Sequence, residues 1–144
     1  MPEKETLERA KKDKREGKAP STQAGEFVRE EIEHIREGKH GARSTKQAIA
    51  IGLSKARRAG VELPPSEGSS EETKEQAKRD LRKAKSGKKV SAKRSRATRK
   101  ALKKEGRSAA SKEALSTQAR KAARKRSAAS RSRSAKKAAK TRKK

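Results

Sequence analysis

The lysines and arginines of the C-terminal part are the residues whose number and spacing most clearly indicate chemistry. Residues 88–144 contain 24 Lys+Arg against 2 Asp+Glu, whereas residues 1–65 contain 15 against 11. Each cation that neutralises a nucleic-acid phosphate releases condensed counterions, which provides affinity without reading the base sequence. This pattern predicts a polyanionic partner, above all duplex nucleic acid, for the basic tail, which we define as residues 88–144.

The candidate phosphate contacts are basic residues of this tail. They are Lys88, Lys89, Lys93, Arg94, Arg96, Arg99, Lys100, Lys103, Lys104, Arg120, Lys121, Arg124, Lys125, Arg126, Arg131, Arg133, Lys136, Lys137, Lys140 and Arg142. Double-stranded DNA is favoured over RNA, because RNA-recognition and single-strand-binding proteins stack bases on aromatic side chains. The chain has no Tyr or Trp, and its single Phe, Phe27, lies on the apolar face of a predicted helix.

A smaller anion contact is predicted around Lys39, Arg43 and Lys46, where the amides at the start of a helix favour phosphate. The loop 38–41, GKHG, also fits the helix–GxxG–helix clamp of KH domains, and residues 44–59 fit the recognition helix of a helix-turn-helix motif. A KH domain requires strands, which the sequence does not indicate. A glycine that ends one helix, followed by a turn, is the simpler interpretation.

The sequence predicts no catalytic, metal or cofactor site. It contains no cysteine, and the spacing of His34 and His40 matches no zinc pattern, so these histidines are interpreted as surface residues. The serines lack a His–Asp arrangement that could activate them. Carboxylates on the same helix are interpreted as surface partners of Arg29 and Arg36; they are Glu30, Glu31, Glu33 and Glu37. We therefore expect a protein that is not an enzyme.

Two amphipathic helices are predicted to form the core of a small head, residues 1–65. The first is capped by Ser21 or Thr22 and ends at Gly38, with apolar residues at helical spacing: Ala24, Phe27, Val28, Ile32 and Ile35. The second begins at Ser44, with Gln47 completing a capping box, and ends at Gly60. The short connection between them predicts a helical hairpin, supported by a helix over Glu3–Glu16 that carries Leu7 and Ala10.

The remainder of the chain is predicted to contribute little to the core. Residues 66–87 are expected to form a flexible linker and then a solvated helix that starts near Ser69, and the tail is expected to be largely disordered but helix-prone. The predicted class is therefore all-α. Because the hairpin has few large apolar residues, we expect it to form a homodimer or to be stabilised by a protein partner.

Residues 26–60, EFVREEIEHIREGKHGARSTKQAIAIGLSKARRAG, resemble a family of small basic bacterial proteins built around a domain of unknown function. Members of this family are often labelled DNA-binding on composition. The ending SAKKAAKTRKK is similar to linker-histone-like tails of bacteria. The resemblance implies a bacterial source and a role at the nucleoid, and it supplies no catalytic residues.

Together these patterns predict a histone-like, largely sequence-nonspecific DNA-binding protein that is cytoplasmic and nucleoid-associated. No apolar run suits a membrane span, so no membrane partner is expected. Two alternatives remain open. One is an RNA- or ribosome-associated basic protein, and the other is an adaptor whose helical head docks a protein partner.

Overall fold

The computed structural model describes residues 2–65, 68–87, 89 and 91–143, and within them it contains seven α-helices and no strand. The helices are α1 (Lys4–Arg15), α2 (Pro20–Arg36), α3 (Thr45–Arg58), α4 (Glu71–Ser86), α5 (Ala92–Lys103), α6 (Lys112–Lys125) and α7 (Ala128–Arg142). A short 3-10 helix, Ser108–Ala110, lies between α5 and α6. The all-α class predicted from the sequence is confirmed.

Helices α2 and α3 pack against each other as the predicted hairpin. Their backbones approach so closely that a Cβ added at Gly52 would lie 2.7 Å from Val28 Cα, which only glycine allows without displacement. The cap of α3 is as predicted, because Ser44 Oγ accepts the amide of Gln47 at 3.1 Å. The predicted cap of α2 at Ser21 or Thr22 is wrong, because α2 begins at Pro20 with Ala19 as its N-cap. Proline is favoured at the first helical position because it has no N–H that would lack a partner there.

Both helix ends of the hairpin are the glycine-terminated type expected from the sequence. Gly38 and Gly60 have φ angles of 78° and 103°. The amide of Lys39 donates to His34 O and that of Val61 donates to Ala56 O, each at 3.0 Å, which is the hydrogen bond that defines a Schellman ending. The first of these endings turns the chain back beside α2 and so sets the position of the loop that follows.

The apolar core consists of two clusters on this hairpin. The first joins α1 to α2 and α3 and contains Ala10, Ala24, Phe27, Ala56 and Val61, with Leu7, Leu53 and Leu63 against it. The second contains Ile32, Ile35, Ala42, Ala48, Ala109 and Ala110, with Val28 and Leu115 against it. The second cluster therefore includes residues of the basic tail.

The helix predicted to follow the linker of residues 66–87 is present as α4 and is mostly exposed, but it is not fully solvated. Helix α4 packs against α3 and fully buries Ala77, while Asp80 is 1% exposed. Gln76 Nε2 donates to Asp80 Oδ1 at 3.2 Å, and Arg58 Nε lies 3.9 Å from the same oxygen. Burial lowers the pKa of the neighbouring Arg57, an effect that Asp80 partly opposes. The buried residues of α4 are Ala77 and Asp80.

The prediction of a long, largely disordered tail is not supported either. The described residues from 91 to 143 form α5, the 3-10 helix, α6 and α7. Alanine, lysine and arginine have high helix propensity, and serine hydroxyls cap α6 and α7 at Ser111 and Ser127. Ala109 and Ala110 are buried against α2 and α3, so part of the tail belongs to the core.

Candidate nucleic-acid interface

The predicted phosphate contacts on α5 form one basic face. Arg96, Arg99, Lys100 and Lys103 recur at i, i+3, i+4 and i+7, the spacing of one side of a helix, and all are exposed. Lys93, Arg94, Lys104 and Lys89 are exposed as well. Lys88 lies outside the described residues. This face is about 10 Å long from its first to its last residue, since a helix rises about 1.5 Å per residue.

A second face with the same spacing lies on α7, formed by Arg133, Lys136, Lys137 and Lys140. The remaining predicted contacts of α6 and α7 are also exposed; they are Arg120, Lys121, Arg124, Lys125, Arg126, Arg131 and Arg142. Arg126 differs from the others, because its guanidinium donates to the carbonyl and hydroxyl oxygens of Ser130. Arg126 therefore links the end of α6 to the start of α7 rather than extending freely.

These cations are not neutralised within the part of the chain that the structure describes. Residues 91–143 contain 21 Lys+Arg and 2 Glu, and no basic side chain of this range lies within ion-pair distance of a described carboxylate. In the head, by contrast, Arg9, Lys18, Arg29 and Lys39 all pair with carboxylates. The positive potential of the tail is therefore available to an external anion.

The uncharged centre of the tail docks on the head. Residues 105–115, EGRSAASKEAL, contain both acidic residues of the tail and two basic residues, so the net charge of this docked segment is zero. The segments on either side, residues 91–104 and 116–143, carry 7 and 12 basic residues and no acidic one. We call these flanking segments the two basic arms.

Four hydrogen bonds hold the tail on the head, and we call this contact the dock. The amides of Gly41 and Ala42 donate to Leu102 O and Gly106 O at 2.9 and 3.1 Å. Thr45 Oγ1 donates to Ala109 O at 2.7 Å, and Arg36 Nε donates to Ala110 O at 2.9 Å. The head thus recognises backbone carbonyls and two alanine methyl groups, and the dock fixes where both arms leave the head.

The dock changes the interpretation of the loop before α3. The amides of Gly41 and Ala42 already have carbonyl partners, and that of Arg43 donates to Gln47 Oε1 at 2.6 Å, so these amides are not free to bind phosphate. Lys39 pairs with Glu37 at 3.2 Å and Glu3 at 3.5 Å, and its hydrogen bond to Glu37 raises the pKa of Lys39. Of the three predicted anion contacts, Arg43 and Lys46 remain exposed without an ion pair among the described residues.

Three cations that were not among the predicted anion contacts meet beside the dock, and one of them, Arg36, was expected to pair with a carboxylate but donates to Ala110 O instead. Arg36, Arg107 and Lys112 line an open cleft of about 460 Å³ together with Ala110 and Ser111. Ser111 is also the N-cap of α6, where it accepts the amide of Ala114 at 3.1 Å. The sequence does offer one signal for this segment. The only two acidic residues of the tail, Glu105 and Glu113, flank the pair Ala109-Ala110, and no other part of the tail has this composition.

The two histidines are not the surface residues inferred from the sequence. The side chains of His34 and His40 are 15% and 12% exposed, and each lies near the buried carboxylate of Glu31. Glu30 and Glu31, which were expected on the helix surface, are 2% and 0% exposed. Each of these residues is therefore largely enclosed where α2 meets the loop that precedes α3.

Residues 4–67 match the model of a family of unknown function (DUF6496). The DUF6496 segment spans α1, α2 and α3 and includes residues 26–60, on which the resemblance was based. Neither a curated protein nor a solved structure matches the chain. The match supports a domain of unknown function and adds no partner or activity.

The DUF6496 segment and the basic arms are separate parts of the sequence. The segment contains the docking surface, since Gly41, Ala42, Thr45 and Arg36 all fall within it, whereas the docked segment and both arms follow it. Among the described helices, none combines the length and apolar character that crossing a bilayer requires.

Proposed function

We propose that this protein is a non-enzymatic, histone-like protein that binds duplex DNA with little sequence preference, in the cytoplasm at the nucleoid. The observation that supports this proposal most directly is the pair of basic arms, which carry 7 and 12 basic residues, contain no acidic residue and flank an uncharged docked segment. Because these cations lack carboxylate partners among the described residues, an external polyanion would not have to displace an existing ion pair.

The helical form of the arms favours phosphate contact over base reading. On α5 and α7 the basic residues recur at i, i+3, i+4 and i+7, so several cations of one helix can face the same backbone. Duplex DNA carries one charge per about 1.7 Å of axis, so a face about 10 Å long lies alongside roughly six phosphates. Neutralisation of about ten phosphates by both arms would give a slope of log K against log salt near −9.

The burial of Phe27 favours a duplex over single-stranded nucleic acid. Phe27 is the single aromatic residue among Phe, Tyr and Trp, and it is 1% exposed in the core of the head. It therefore offers no surface on which a base could stack, which is the main source of sequence-tolerant affinity for single strands. The mode of binding that we propose is therefore electrostatic contact with the regularly spaced phosphates of a duplex.

The proposal is tested by titrating the full-length chain with a random-sequence DNA duplex, a matched RNA duplex and a DNA single strand over a salt series. The key variant replaces Arg133, Lys136, Lys137 and Lys140 on α7 by glutamine. Removal of four phosphate contacts should make the slope for duplex DNA less steep by about 3 to 4, at roughly 0.9 per contact.

The matched control carries the same change of charge on α4. Lys78, Arg82, Lys83 and Lys85 are exposed there, and the structure places them outside both arms. Their replacement by glutamine should leave the slope nearly unchanged. Equal losses in the two variants would contradict the assignment to the arms, and tighter binding of the RNA duplex would contradict the proposal of DNA in favour of an RNA-associated protein.

A further inference from the structure

The two histidines of the chain converge on one buried carboxylate. His40 Nε2 lies 3.0 Å from Glu31 Oε2, and His34 Nδ1 lies 4.0 Å from Glu31 Oε1. The imidazole rings are 6.4 Å apart and nearly perpendicular. Each of the three side chains offers one ligand atom, and these atoms all lie within 4.8 Å of one another. Such a set is close to the ligand spacing of a tetrahedral metal ion, roughly 3.3–3.6 Å for bonds of about 2.0–2.2 Å.

The opposite nitrogen of each ring is held by an oxygen. His40 Nδ1 lies 2.9 Å from the carbonyl oxygen of Gly41, and His34 Nε2 lies 3.0 Å from Glu3 Oε1. Histidines that bind metals nearly always donate their second N–H to a carbonyl or carboxylate in this way, which fixes the tautomer and orients the ring. Both histidines therefore have the outer contacts that would direct one nitrogen toward Glu31.

A neutral His40 cannot donate to both of its oxygen neighbours. A neutral imidazole donates from one nitrogen only, whereas a carbonyl and an ionised carboxylate can only accept. His40 faces an acceptor on each side, at 2.9 and 3.0 Å. If its Nδ1–H donates to Gly41 O, the lone pair of Nε2 points at the carboxylate of Glu31. Either a second proton or a metal ion between Nε2 and Glu31 relieves this conflict.

The adjacent Glu30 lies on the other side of His34, beside Nε2. It is 2% exposed, and its Oε2 has no hydrogen-bond partner among the described residues. Its Oε1 accepts the amide of Glu3 at 2.7 Å and lies 3.8 Å from His34 Nε2. A buried carboxylate with one unpaired oxygen is costly unless positive charge lies nearby. A metal ion on His34 Nδ1 would fix the proton of this ring on Nε2, the nitrogen that faces Glu3 and Glu30.

We propose that His34 Nδ1, His40 Nε2 and the Glu31 carboxylate bind a zinc ion, with water in the fourth position. Two imidazoles and one carboxylate form a ligand set that Zn²⁺ accepts, and harder ions such as Mg²⁺ prefer oxygen ligands alone. Lys55 Nζ contacts Glu31 Oε1 and is the resident cation of this site. Its ammonium group competes with the metal for the carboxylate, so it lowers the affinity.

The site lies next to the dock, because His40 precedes Gly41, whose amide donates to Leu102 O. A metal on His40 would restrain the loop that receives the tail. Zinc binding should therefore slow hydrogen exchange of the Gly41 and Ala42 amides. This effect concerns the head and does not depend on the nucleic-acid proposal.

The test is a titration of the full-length, tag-free chain with Zn²⁺ in competition with a chromophoric chelator, together with the visible spectrum of the Co²⁺ form. We expect one Zn²⁺ per chain and the intense d–d bands of tetrahedral Co²⁺. His40→Gln should weaken binding by at least about tenfold to a hundredfold. Lys55→Gln should strengthen it. Glu33→Gln is the matched control, since Glu33 lies on the same helix with a side chain 48% exposed and should leave the affinity unchanged.

A weak, non-stoichiometric response would overturn the proposal, as would equal affinity of His40→Gln and the parent chain. The net charge of +27 disfavours nonspecific binding of cations, so stoichiometric binding reports a built site. A histidine variant that loses helical content by circular dichroism cannot be interpreted in this way. The ¹⁵N resonances of the His34 and His40 imidazoles in the parent chain then test the proposal. Resonances that move on addition of Zn²⁺ support the site, and resonances that titrate only with protons refute it.

Discussion

Substitution of Gly41 by alanine should release the tail from the head. A Cβ at this position would lie 2.1 Å from Glu105 O and 2.5 Å from Gly106 O, both of them backbone atoms of the tail. Contacts of this kind are normally 3.4 Å or longer, so the chain at residues 105–106 must move by more than about 1 Å. A rotamer change cannot relieve the overlap, because no flexible side chain is involved.

The cost follows from the contacts that such a displacement breaks. The amides of Gly41 and Ala42 lose their bonds to Leu102 and Gly106, and each is worth about 0.5–1.5 kcal/mol. The dock is therefore weakened by roughly 1–3 kcal/mol before any exposure of Ala109 and Ala110 is counted. Since about 1.4 kcal/mol is a factor of ten, the undocked population should rise about 5- to 150-fold.

Hydrogen exchange followed by mass spectrometry or NMR measures this change directly. The amides of residues 41, 42, 110 and 111 should exchange faster in the Gly41→Ala chain by that factor. Amides in the first core cluster, such as those around Phe27, should change much less. The assay thus separates opening of the dock from unfolding of the head.

Two other glycines serve as controls. Gly25 on α2 is exposed with nothing within 4 Å of an added Cβ, so Gly25→Ala should be neutral or stabilise the helix by up to about 1 kcal/mol. Gly52→Ala should instead separate α2 from α3 and lower the melting temperature of the whole head. Unchanged exchange at residues 41, 42, 110 and 111 in Gly41→Ala would refute the docked arrangement.

Two further substitutions test other contacts. Thr45→Val removes the buried hydrogen bond to Ala109 O and leaves that carbonyl unpaired, so it should destabilise the dock by about 1–3 kcal/mol. The same exchange assay measures this change. An unchanged exchange rate would show that Thr45 does not hold the tail. The hydrogen bond from Lys18 to Asp13 raises the pKa of Lys18, so this pair stabilises the fold below the ordinary lysine value of 10.5 and loses that contribution as the pH rises through the raised value. Lys18→Met should accordingly show a smaller fall in melting temperature above about pH 10.5 than the parent chain, and identical alkaline melting curves would contradict this linkage.

The sequence predicts the hairpin because its signals are local and strong. Phe27, Ile32 and Ile35 recur at helical spacing, and Gly38 and Gly60 each provide the positive φ that a Schellman ending requires. The Ser44 cap can be predicted for the same reason, because it needs only the Ser44 hydroxyl and the amide of Gln47 three residues later. The start of α2 was misplaced because Pro20 itself can begin a helix.

The contacts of α4 and of the tail could not be predicted, because they depend on small residues and backbone groups. Ala77, Ala109 and Ala110 are fully or almost fully buried, yet alanine also occurs on the exposed sides of α5, α6 and α7. A methyl group adds little to a hydrophobic pattern. The hydrogen bonds of the dock end on carbonyl oxygens, which every residue provides.

The histidine cluster was missed because its members meet across a change of chain direction. His34 lies in the last turn of α2, and His40 returns beside it only after Gly38 has ended the helix. Spacing along the sequence does not show this proximity. The basic faces of the arms, by contrast, follow from composition and helical spacing alone, and their role in DNA binding stays a prediction.

The position of the uncharged dock between the two arms has a consequence for how the molecule responds to its ionic surroundings. Counterions would screen the attraction between the arms and the proposed polyanion, whereas the docked segment, residues 105–115, carries no net charge and is held by apolar burial and hydrogen bonds. Ionic strength should therefore change the affinity of the arms for a polyanion without undocking the tail. If the arms bind DNA as proposed, concentrated salt should release the DNA while Ala109 and Ala110 stay packed on the head.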